Sequence, residues 1–310
     1  MTKDTNTQWQ KRLEESLASK EVHFKELPDE KQSVLFITSS SDVGVMRNGG
    51  RNGARFAPKA VLNSFKKWTL TDDQKDLHWS QAEVSIQDFE LETFDQAQAY
   101  EAQKIGFLLQ KMPSQKVVHL GGGHDHIYPM LKALGETHSK IIVLNIDAHA
   151  DTRTDSAPHS GTPFRQFADS YEGEFHLFQF GLHRFANSFS TLENLSRGSQ
   201  HRLFYKEALD TEAVDLFLEK ISLEITEDCA FVFSLDTDGL SSDLIEAVSA
   251  VNPQGITREQ FFSLWNFYNG MVEARKIRPV VGIYEFNPLY DTLSGRSMRV
   301  LSSMLYEMLC

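Results

Sequence analysis

Cysteine and cationic side chains are scarce in this sequence of 310 residues. Its two cysteines are Cys229, inside an apolar run, and the final residue, Cys310, so neither a disulfide framework nor a thiolate zinc site is expected. Lysine and arginine together number 31 against 43 acidic residues, which gives a formal net charge of −12. Because binding to nucleic acid needs a basic surface and no basic cluster stands out, the composition argues against such a partner.

Long apolar runs are also missing. No segment approaches the roughly 20 apolar residues that a membrane-spanning helix requires, and residues 1–20 are polar, without the apolar stretch of a secretory signal. We therefore expect a cytoplasmic protein that has no membrane partner. Apolar side chains nevertheless make up 41% of the chain, which is enough for a substantial buried core.

The apolar residues gather in short, nearly continuous runs. Such runs are typical of strands covered on both faces, and they predict six strands: Val34–Thr38, Lys116–Leu120, Ile141–Ile146, Phe175–Phe180, Cys229–Leu235 and Arg278–Tyr284. Longer segments of mixed polarity predict helices: Phe94–Lys111, Thr211–Glu224, Thr257–Ala274 and Gly295–Leu309. This alternation indicates an α/β fold with a mainly parallel sheet and helices on both sides. Since no linker or repeat divides the chain, we predict one domain over residues 1–310, with a polar N-terminal extension at 1–30.

Residues that can bind metal ions follow three of the predicted strands. In α/β sheets, ligands bind at the carboxyl ends of the strands. The segments at these ends are Gly121-Gly122-Gly123-His124, Asp147-Ala148-His149-Ala150-Asp151 and Asp236-Thr237-Asp238. An extended chain places alternate residues on one face, so each aspartate motif would direct its polar side chains together. The glycines permit the tight turn that brings His124 to the same edge.

The clustering of carboxylates has two interpretations. A single aspartate after a strand is often the N-cap of the next helix, but this pattern at three strand ends favours metal binding. Four carboxylates without cations would repel one another and raise each other's pKa, whereas two divalent ions would cancel their charge. Oxygen and imidazole ligands without thiolates favour manganese and leave zinc, iron and cobalt open.

At these residues the sequence resembles the ureohydrolase family of arginase, agmatinase and formimidoylglutamase. The family's Gly-Gly-x-His, Asp-Ala-His-x-Asp and Ser-x-Asp-x-Asp segments occur here in the same order, the last as Ser234-Leu235-Asp236-Thr237-Asp238. The resemblance runs from Asp42 to the C-terminus and implies a three-layer α/β/α fold with a binuclear manganese centre. It implies that one ion is bound by His124, Asp147, Asp151 and Asp236, and the other by Asp147, His149, Asp236 and Asp238, with Asp147 and Asp236 bridging.

Other segments are most similar to formimidoylglutamase, namely Arg47–Arg51, Ser160–Gln166 and Gly181–Ser188. Glu285-Phe286-Asn287-Pro288 corresponds to the family's Glu-x-Asn-Pro, whose glutamate faces the substrate. One departure is that Ser160 stands where arginases and agmatinases have a proton-shuttling histidine. His159, one position earlier, is either a substitute for that shuttle or a histidine of a surface loop. The extra His126 is interpreted as a helix-surface residue or as one that supports the ligands from behind.

The resemblance implies hydrolysis of N-formimidoyl-L-glutamate to glutamate and formamide, a step of histidine degradation. Two ions that share a water lower its pKa and provide a nucleophile for the sp² carbon of the substrate. Asp151 or Asp238 would assist proton transfer, and Glu285 would pair with the cationic group of the substrate. Substrate carboxylates call for arginine forks, and the candidates in loops near the strand ends are Arg47, Arg51, Arg153 and Arg184, with Asn48 and Asn187 as further substrate-binding residues.

Three alternatives stay open at this point. The substrate could be agmatine or guanidinobutyrate, which other ureohydrolases use. A deacetylase on the related fold would keep a single metal site with fewer carboxylates. A non-catalytic binding or regulatory subunit would have lost ligands, whereas all six ligand positions are filled here. The sequence does not decide which metal is used or whether the chain forms a homo-oligomer.

Overall fold

The computed structural model describes residues 33–68, 77–84, 94–113 and 115–309. Within these ranges eight strands form one sheet, and every neighbouring pair is parallel. The strands are β1 (Ser33–Ser39), β2 (His78–Glu83), β3 (Lys116–Gly121), β4 (Lys140–Ile146), β5 (Glu174–Leu182), β6 (Ser199–Phe204), β7 (Ala230–Asp236) and β8 (Val280–Tyr284). Their order across the sheet is β2-β1-β3-β8-β7-β4-β5-β6. The predicted extension at 1–30 and Cys310 lie outside the described residues.

Helices cover both faces of this sheet. They are α1 (Val43–Arg47), α2 (Ala57–Phe65), α3 (Phe94–Lys111), α4 (Ile127–Gly135), α5 (Pro163–Ser170), α6 (Thr211–Glu224), α7 (Arg258–Arg275) and α8 (Arg296–Leu309). Side chains of α2, α6, α7 and α8 pack in one apolar cluster, and those of α3, α4 and α5 pack in another. In the described ranges, no helix has the length and apolar character needed to cross a membrane.

The strands themselves contribute to both apolar clusters. Val34 and Phe36 of β1 belong to the first cluster, and Leu35 and Ile37 belong to the second. Successive side chains of a strand point to opposite faces, so both faces of β1 are buried under helices. The predicted three-layer α/β/α fold with a parallel sheet is therefore confirmed.

All six predicted strands are present, and their ends differ from the prediction by at most two residues. The sequence pattern did not predict β2 and β6, which are the two edges of the sheet. Both strands are polar, with the sequences HWSQAE and SQHRLF. An edge strand has a neighbour on one side only and tolerates polar side chains, so it lacks the continuous apolar run by which the inner strands were recognised.

The predicted helix bounds at Phe94–Lys111 and Thr211–Glu224 coincide with α3 and α6, while α7 and α8 begin one residue later than predicted. Thr257 precedes α7 as its N-cap, in a capping box with Gln260. The apolar pattern did not predict α1, α2, α4 and α5, which are nine residues long or shorter. Helices of two turns contain too few residues to establish a period of 3.6.

The strands that precede the predicted ligands are neighbours in the centre of the sheet, in the order β3-β8-β7-β4. Because these strands are parallel, their carboxyl ends share one edge. His124 follows β3, Asp236 ends β7 and Asp147 follows β4. The strand between β3 and β7 is β8, which is followed by Glu285. The fold thus brings all the predicted motifs to one place.

Candidate metal centre

The first cluster of possible metal ligands consists of His124, Asp147, Asp151 and Asp236, which are all buried. The Nδ1 atom of His124 lies 2.8 Å from Asp151 Oδ2 and 3.2 Å from an Oδ2 atom of both Asp147 and Asp236. This Nδ1 atom is buried and has no hydrogen-bond partner. The other ring nitrogen, Nε2, is 3.1 Å from Ser234 Oγ. With Nε2–H donating to Ser234, Nδ1 is the nitrogen that faces the carboxylates, and once deprotonated it would offer its lone pair to an ion held among them, as a metal-binding imidazole does.

The second cluster consists of Asp147, His149 and Asp238. His149 Nδ1 lies 3.2 Å from Asp238 Oδ2 and 3.7 Å from Asp147 Oδ1. Asp147 is thus shared by both clusters through different oxygens. Asp236 groups with the first cluster only, and its Oδ1 accepts a hydrogen bond from the backbone N–H of Asp238 at 2.9 Å. The bridging position of Asp147 therefore has direct support in the geometry, whereas that of Asp236 stays a prediction.

The Asp-Ala-His-Ala-Asp segment leaves β4 in a less regular form than the expected extended chain. Asp151 has a φ of 51°, so the backbone turns at the last ligand. Asn187 holds this segment with two hydrogen bonds. Its Oδ1 accepts the Ala150 N–H at 2.7 Å, and its Nδ2 donates to the Ala148 carbonyl at 3.0 Å. A left-handed conformation is costly for an aspartate and is kept only where the surrounding contacts impose it. Here it turns the Asp151 carboxylate toward His124.

The buried carboxylates of the first cluster repel one another when no cation is bound. Burial raises the pKa of the Asp236 carboxyl well above its ordinary value, and the negative charges of Asp238 and Asp147 raise it further. Burial and the charge of Asp147 also raise the pKa of Asp151. Burial lowers the pKa of His124, but its carboxylate contacts outweigh burial and raise that pKa well above its ordinary value. Divalent cations would remove this repulsion, and the oxygen and imidazole donors suit them.

Glu285 lies beside the two clusters with its carboxylate held by the backbone. Its Oε1 accepts the N–H of His124 at 3.0 Å, and its own N–H donates to the Gly122 carbonyl at 2.8 Å. Its φ of 64° is a second left-handed conformation at this edge of the sheet. Burial raises the pKa of Glu285 to about 8, and the charge of Asp238 adds to this, although the hydrogen bond from His124 opposes it.

A cavity of about 680 Å³ opens over the clusters. Four of the six clustered ligands and Glu285 line it, together with Asn48, Arg153, Asp155, Ser160, Phe185 and Asn187. Arg153 Nη1 donates to Asn48 Oδ1 at 2.8 Å and is 3.7 Å from Asp155 Oδ2. A larger cavity of about 740 Å³, between α3, α4 and the start of β8, contains none of the clustered ligands. The cavity of about 680 Å³ is therefore the candidate active site.

The predicted substrate-binding arginines have different surroundings. Arg51 donates from Nη2 to the Val248 carbonyl at 2.8 Å and from Nε to the Ser249 carbonyl at 3.1 Å, and its guanidinium lies 4.2 Å from the centre of the Tyr290 ring. Arg184 is 70% exposed and pairs with Glu207 at 3.0 Å. The guanidinium of Arg47 is 4.8 Å from the Phe94 ring centre. Among the arginines considered, Arg153 is the one that lines the cavity.

The sequence left the roles of two histidines undecided, and both side chains are buried. His159 is 6% exposed; its Nε2 lies 2.7 Å from Asp155 Oδ2, and its Nδ1 accepts the Gly161 N–H at 3.0 Å. The surface-loop interpretation of His159 is therefore wrong, and whether it acts in catalysis stays a prediction. His126 is 4% exposed and contacts both carboxylate oxygens of Glu101 at 2.9 Å. Its helix-surface interpretation is wrong as well, since it contacts Glu101 and the Ser41 carbonyl, and a supporting role behind the ligands stays a prediction.

The contacts of His159 predict how its replacement affects turnover. Both ring nitrogens are engaged, and its neighbour Asp155, rather than His159 itself, lines the cavity. We expect His159→Gln to lower kcat/KM by less than about tenfold, because the lost hydrogen bond holds a loop and only part of its ~1.5–3 kcal/mol would reach the transition state, and to leave the pH profile unchanged. A pH profile of kcat/KM for both proteins checks this. A loss far beyond that range, with one limb of the profile missing, would identify His159 as the proton shuttle.

Several residues that support the clusters were not predicted to contact the ligands, although Ser234 was noted as part of the third motif. Asn145 donates from Nδ2 to Asp147 Oδ2 at 3.2 Å, and Ser234 contacts His124. Tyr284 stacks its ring on the imidazole of His124, with 5.1 Å between centres and 24° between planes. Asn145, Ser234 and Tyr284 belong to strands, where their types look like ordinary core residues. Only the register of the sheet reveals that they contact ligands.

Known proteins share this sequence pattern and this fold. The model of the Arginase family matches residues 34–310. The formimidoylglutamase of Hahella chejuensis is 30% identical over 298 residues, covering 89% of this chain and 84% of its own. That of Rhodococcus opacus is 27% identical over 287 residues, covering 88% and 84%.

Solved structures give the same result for the fold. The crystal structure of Bacillus subtilis formimidoylglutamase superposes with a TM-score of 0.73 at 18% identity, covering 91% of this chain and 88% of its own. Trypanosoma cruzi formiminoglutamase with Mn²⁺ has a TM-score of 0.73 at 22% identity, covering 92% and 95%. A putative agmatinase from Clostridium difficile superposes with a TM-score of 0.66 at 19% identity, covering 91% of this chain and 97% of its own. The resemblance inferred from the three motifs is confirmed: this chain belongs to the arginase family.

Proposed function

We propose that this protein hydrolyses N-formimidoyl-L-glutamate, cleaving the C–N bond to release formamide and glutamate. The observation that carries the proposal is the set of six clustered ligands with Glu285 beside them, of which His149, Asp151, Asp236, Asp238 and Glu285 line one cavity. The relatives named formimidoylglutamase support this choice of substrate over other members of the family. All six ligand positions are filled, which disfavours a non-catalytic subunit.

We propose two Mn²⁺ ions as the cofactors. His124, Asp147, Asp151 and Asp236 would hold one ion, and Asp147, His149, Asp236 and Asp238 the other. The bound ions would supply a water of lowered pKa as the nucleophile and neutralise the buried carboxylates. The absence of thiolates and the buried, unpartnered Nδ1 of His124 fit such ions. Trypanosoma cruzi formiminoglutamase, which has the same fold, is described with Mn²⁺.

The residues around the ions have separate tasks in the reaction. Glu285 lies beside the clusters, where bound cations would favour its ionised form, so that the carboxylate can pair with the cationic formimidoyl group and orient the sp² carbon toward the nucleophile. Asp151 and Asp238 belong to the clusters and also line the cavity, so their carboxylates can carry a proton from the nucleophile to the departing nitrogen of glutamate. Hydrogen bonds from backbone N–H groups hold the Glu285 and Asp236 carboxylates in fixed positions.

Near the opening of the cavity, Arg153 is the residue best placed to bind a carboxylate of the substrate. Its guanidinium is about half exposed and is already oriented by Asn48. Arg51 donates its N–H groups to backbone carbonyls, so a substrate would have to displace these bonds to use it. The positive charge of Arg153 would also repel the terminal ammonium of agmatine, which gives a physical reason for the preference.

A substrate panel tests the proposed function. We expect the manganese-loaded protein to turn over N-formimidoyl-L-glutamate far better than agmatine, guanidinobutyrate or arginine, with formamide rather than urea as the product. Formamide, urea and acetate would be measured separately for each compound. A preference for agmatine would refute the choice of substrate and leave the metal centre standing. Acetate release from an acetylated substrate would instead support the deacetylase alternative.

Lysine substitutions test the carboxylate-binding residue. Lysine keeps the charge of Arg153 but loses the planar fork that binds a carboxylate with two hydrogen bonds. We expect Arg153→Lys to lower kcat/KM by about 10- to 100-fold, mainly through KM, which corresponds to the 1.5–3 kcal/mol of a charged hydrogen bond. The matched control is Arg51→Lys, for which we expect a lower melting temperature and a nearly unchanged KM. The opposite result would return the role to Arg51.

A further inference from the structure

A chain of buried polar side chains extends behind the first metal cluster. Tyr284 stacks on His124, and its hydroxyl is 3.0 Å from His119 Nδ1. The other nitrogen of His119, Nε2, is 2.8 Å from Ser39 Oγ, which in turn is 2.6 Å from Glu101 Oε1. These five side chains belong to α3, β1, β3, β8 and the turn after β3, and all are buried. The metal clusters do not include Glu101, Ser39, His119 or Tyr284.

The donor and acceptor of every hydrogen bond in this series follow from the contacts of Glu101, at the end far from His124. His126 Nδ1 lies 2.9 Å from both oxygens of Glu101, and His126 Nε2 lies 3.0 Å from the Ser41 carbonyl. A carbonyl can only accept, so Nε2 carries a proton. Burial raises the pKa of Glu101, but the neighbouring histidines and the Ser39 hydroxyl outweigh burial and lower it, so Glu101 is ionised and accepts from Nδ1. Glu101 is therefore an acceptor, and Ser39 must give it the single proton of its hydroxyl.

The remaining two bonds are then determined as well. Since the Ser39 hydroxyl donates to Glu101, it accepts from His119, and the proton of His119 is on Nε2. His119 Nδ1 is left with a lone pair and accepts the Tyr284 O–H. All the bonds run the same way, from Tyr284 through His119 and Ser39 to the carboxylate. Hydrogen bonds in such a series polarise one another and are stronger than they would be alone.

The sheet is shaped to hold the Tyr284 ring in this position. A Cβ atom built on Gly121 of β3 would lie 2.5 Å from Tyr284 Cδ1, and one on Gly282 of β8 would lie 2.4 Å from the Tyr284 hydroxyl. Any side chain at either position would collide with the ring. The space over these glycines lets the ring lie across the sheet and reach His124. Phe164 also contacts His124, edge-on, with 5.4 Å between ring centres.

We propose that Tyr284 is a positioning residue for the metal ligand His124, and that its hydrogen-bond chain to Glu101 strengthens metal binding at the first cluster. This inference rests on the proposed metal centre. The hydrogen-bond chain holds the Tyr284 ring in place. The Tyr284 ring in turn holds the plane of the His124 imidazole so that Nδ1 faces the carboxylates. The ring also presents its negative π face to an imidazole that carries part of the charge of a bound ion. Donation of the hydroxyl toward a carboxylate makes that face more negative.

Tyr284→Phe tests the proposal, because it keeps the stacked ring and removes the link to Glu101. The purified full chain, stripped of metal, would be titrated with Mn²⁺ alone, and affinity and stoichiometry would be measured. We expect one of two Mn²⁺ ions to bind about tenfold more weakly, the usual effect of losing a residue that orients a ligand. The matched control is Tyr268→Phe on α7, another fully buried tyrosine, whose hydroxyl contacts the Val280 backbone at 2.9 Å.

Tyr268→Phe should lower the melting temperature and leave the Mn²⁺ affinity of the chain unchanged. An unchanged affinity in Tyr284→Phe, or an equal loss in both variants, would overturn the proposal. His119→Leu removes the acceptor of the Tyr284 hydroxyl without touching the ring, and it should weaken the same ion; it decides the matter if Tyr284→Phe does not fold. The Mn²⁺ titration contains no substrate, so its outcome would stand even if N-formimidoyl-L-glutamate proved not to be the substrate.

Discussion

Asp236→Asn is expected to lose at least one metal ion and nearly all turnover, and Asp147→Asn should do the same. Each aspartate belongs to the cluster around His124, and asparagine has nearly the same shape but no charge. A neutral amide oxygen binds a divalent ion more weakly and no longer balances its charge, so the hydrolytic water is no longer activated. We expect kcat/KM to fall on the order of 10³-fold or more, about 4 kcal/mol of transition-state stabilisation.

Metal content per chain and steady-state kinetics would be measured on the same preparations. The matched control is Asp215→Asn, at an exposed aspartate of α6, which should keep full metal content and full activity. If either cluster variant retained both its metal and its activity, the binuclear assignment would be wrong. Loss of activity with full metal content would instead show that the aspartate acts on the substrate and is not needed to hold an ion.

Removal of the metal is expected to lower the melting temperature strongly. Ions that bind only the folded state stabilise it by about 4 kcal/mol each when present at 1,000 times their Kd. For a chain of this size each kcal/mol corresponds to roughly 2–4 °C, so we expect a fall on the order of 10 °C or more in excess chelator. Renewed addition of Mn²⁺ should restore the original melting temperature.

The loss of stability should deepen as the pH rises. Glu285 has a folded-state pKa of about 8 against an ordinary value of 4.5, so the metal-free protein is destabilised progressively as the pH rises through this window. The raised pKa of Asp236 acts in the same direction. His149, whose pKa is raised by Asp238 and Asp147 despite burial, contributes stability as a cation at low pH, and this too is lost as the pH rises.

Melting curves of the metal-free protein at about pH 5 and about pH 8.5 check the direction of this effect. Asp236→Asn serves as the control, because it lacks one buried charge and should show both a smaller fall in chelator and a weaker dependence on pH. An unchanged melting curve after proven removal of the metal would contradict the account. So would greater stability of the metal-free protein at the higher pH.

The sequence alone was sufficient to predict the inner strands and the side chains that cluster at their carboxyl ends. Both aspartate motifs were recognised from their spacing after apolar runs, although the backbone is not extended throughout: it turns at Asp151, and Asp238 lies in a 3₁₀ turn after β7. Continuous apolar runs identified the six strands that are buried on both faces. The same reasoning missed β2 and β6, because the polar side chains of edge strands carry no such pattern.

What only the tertiary structure decided is which distant residues become neighbours. The position of β8 between β3 and β7 brings Glu285 and Tyr284 to His124, and no local pattern encodes that order. Tertiary contacts also distinguish Arg51, whose donors are bound to backbone carbonyls, from Arg153, which faces the cavity. Short-range spacing follows from the geometry of one segment of chain, whereas the roles of these side chains depend on how separate segments pack against one another.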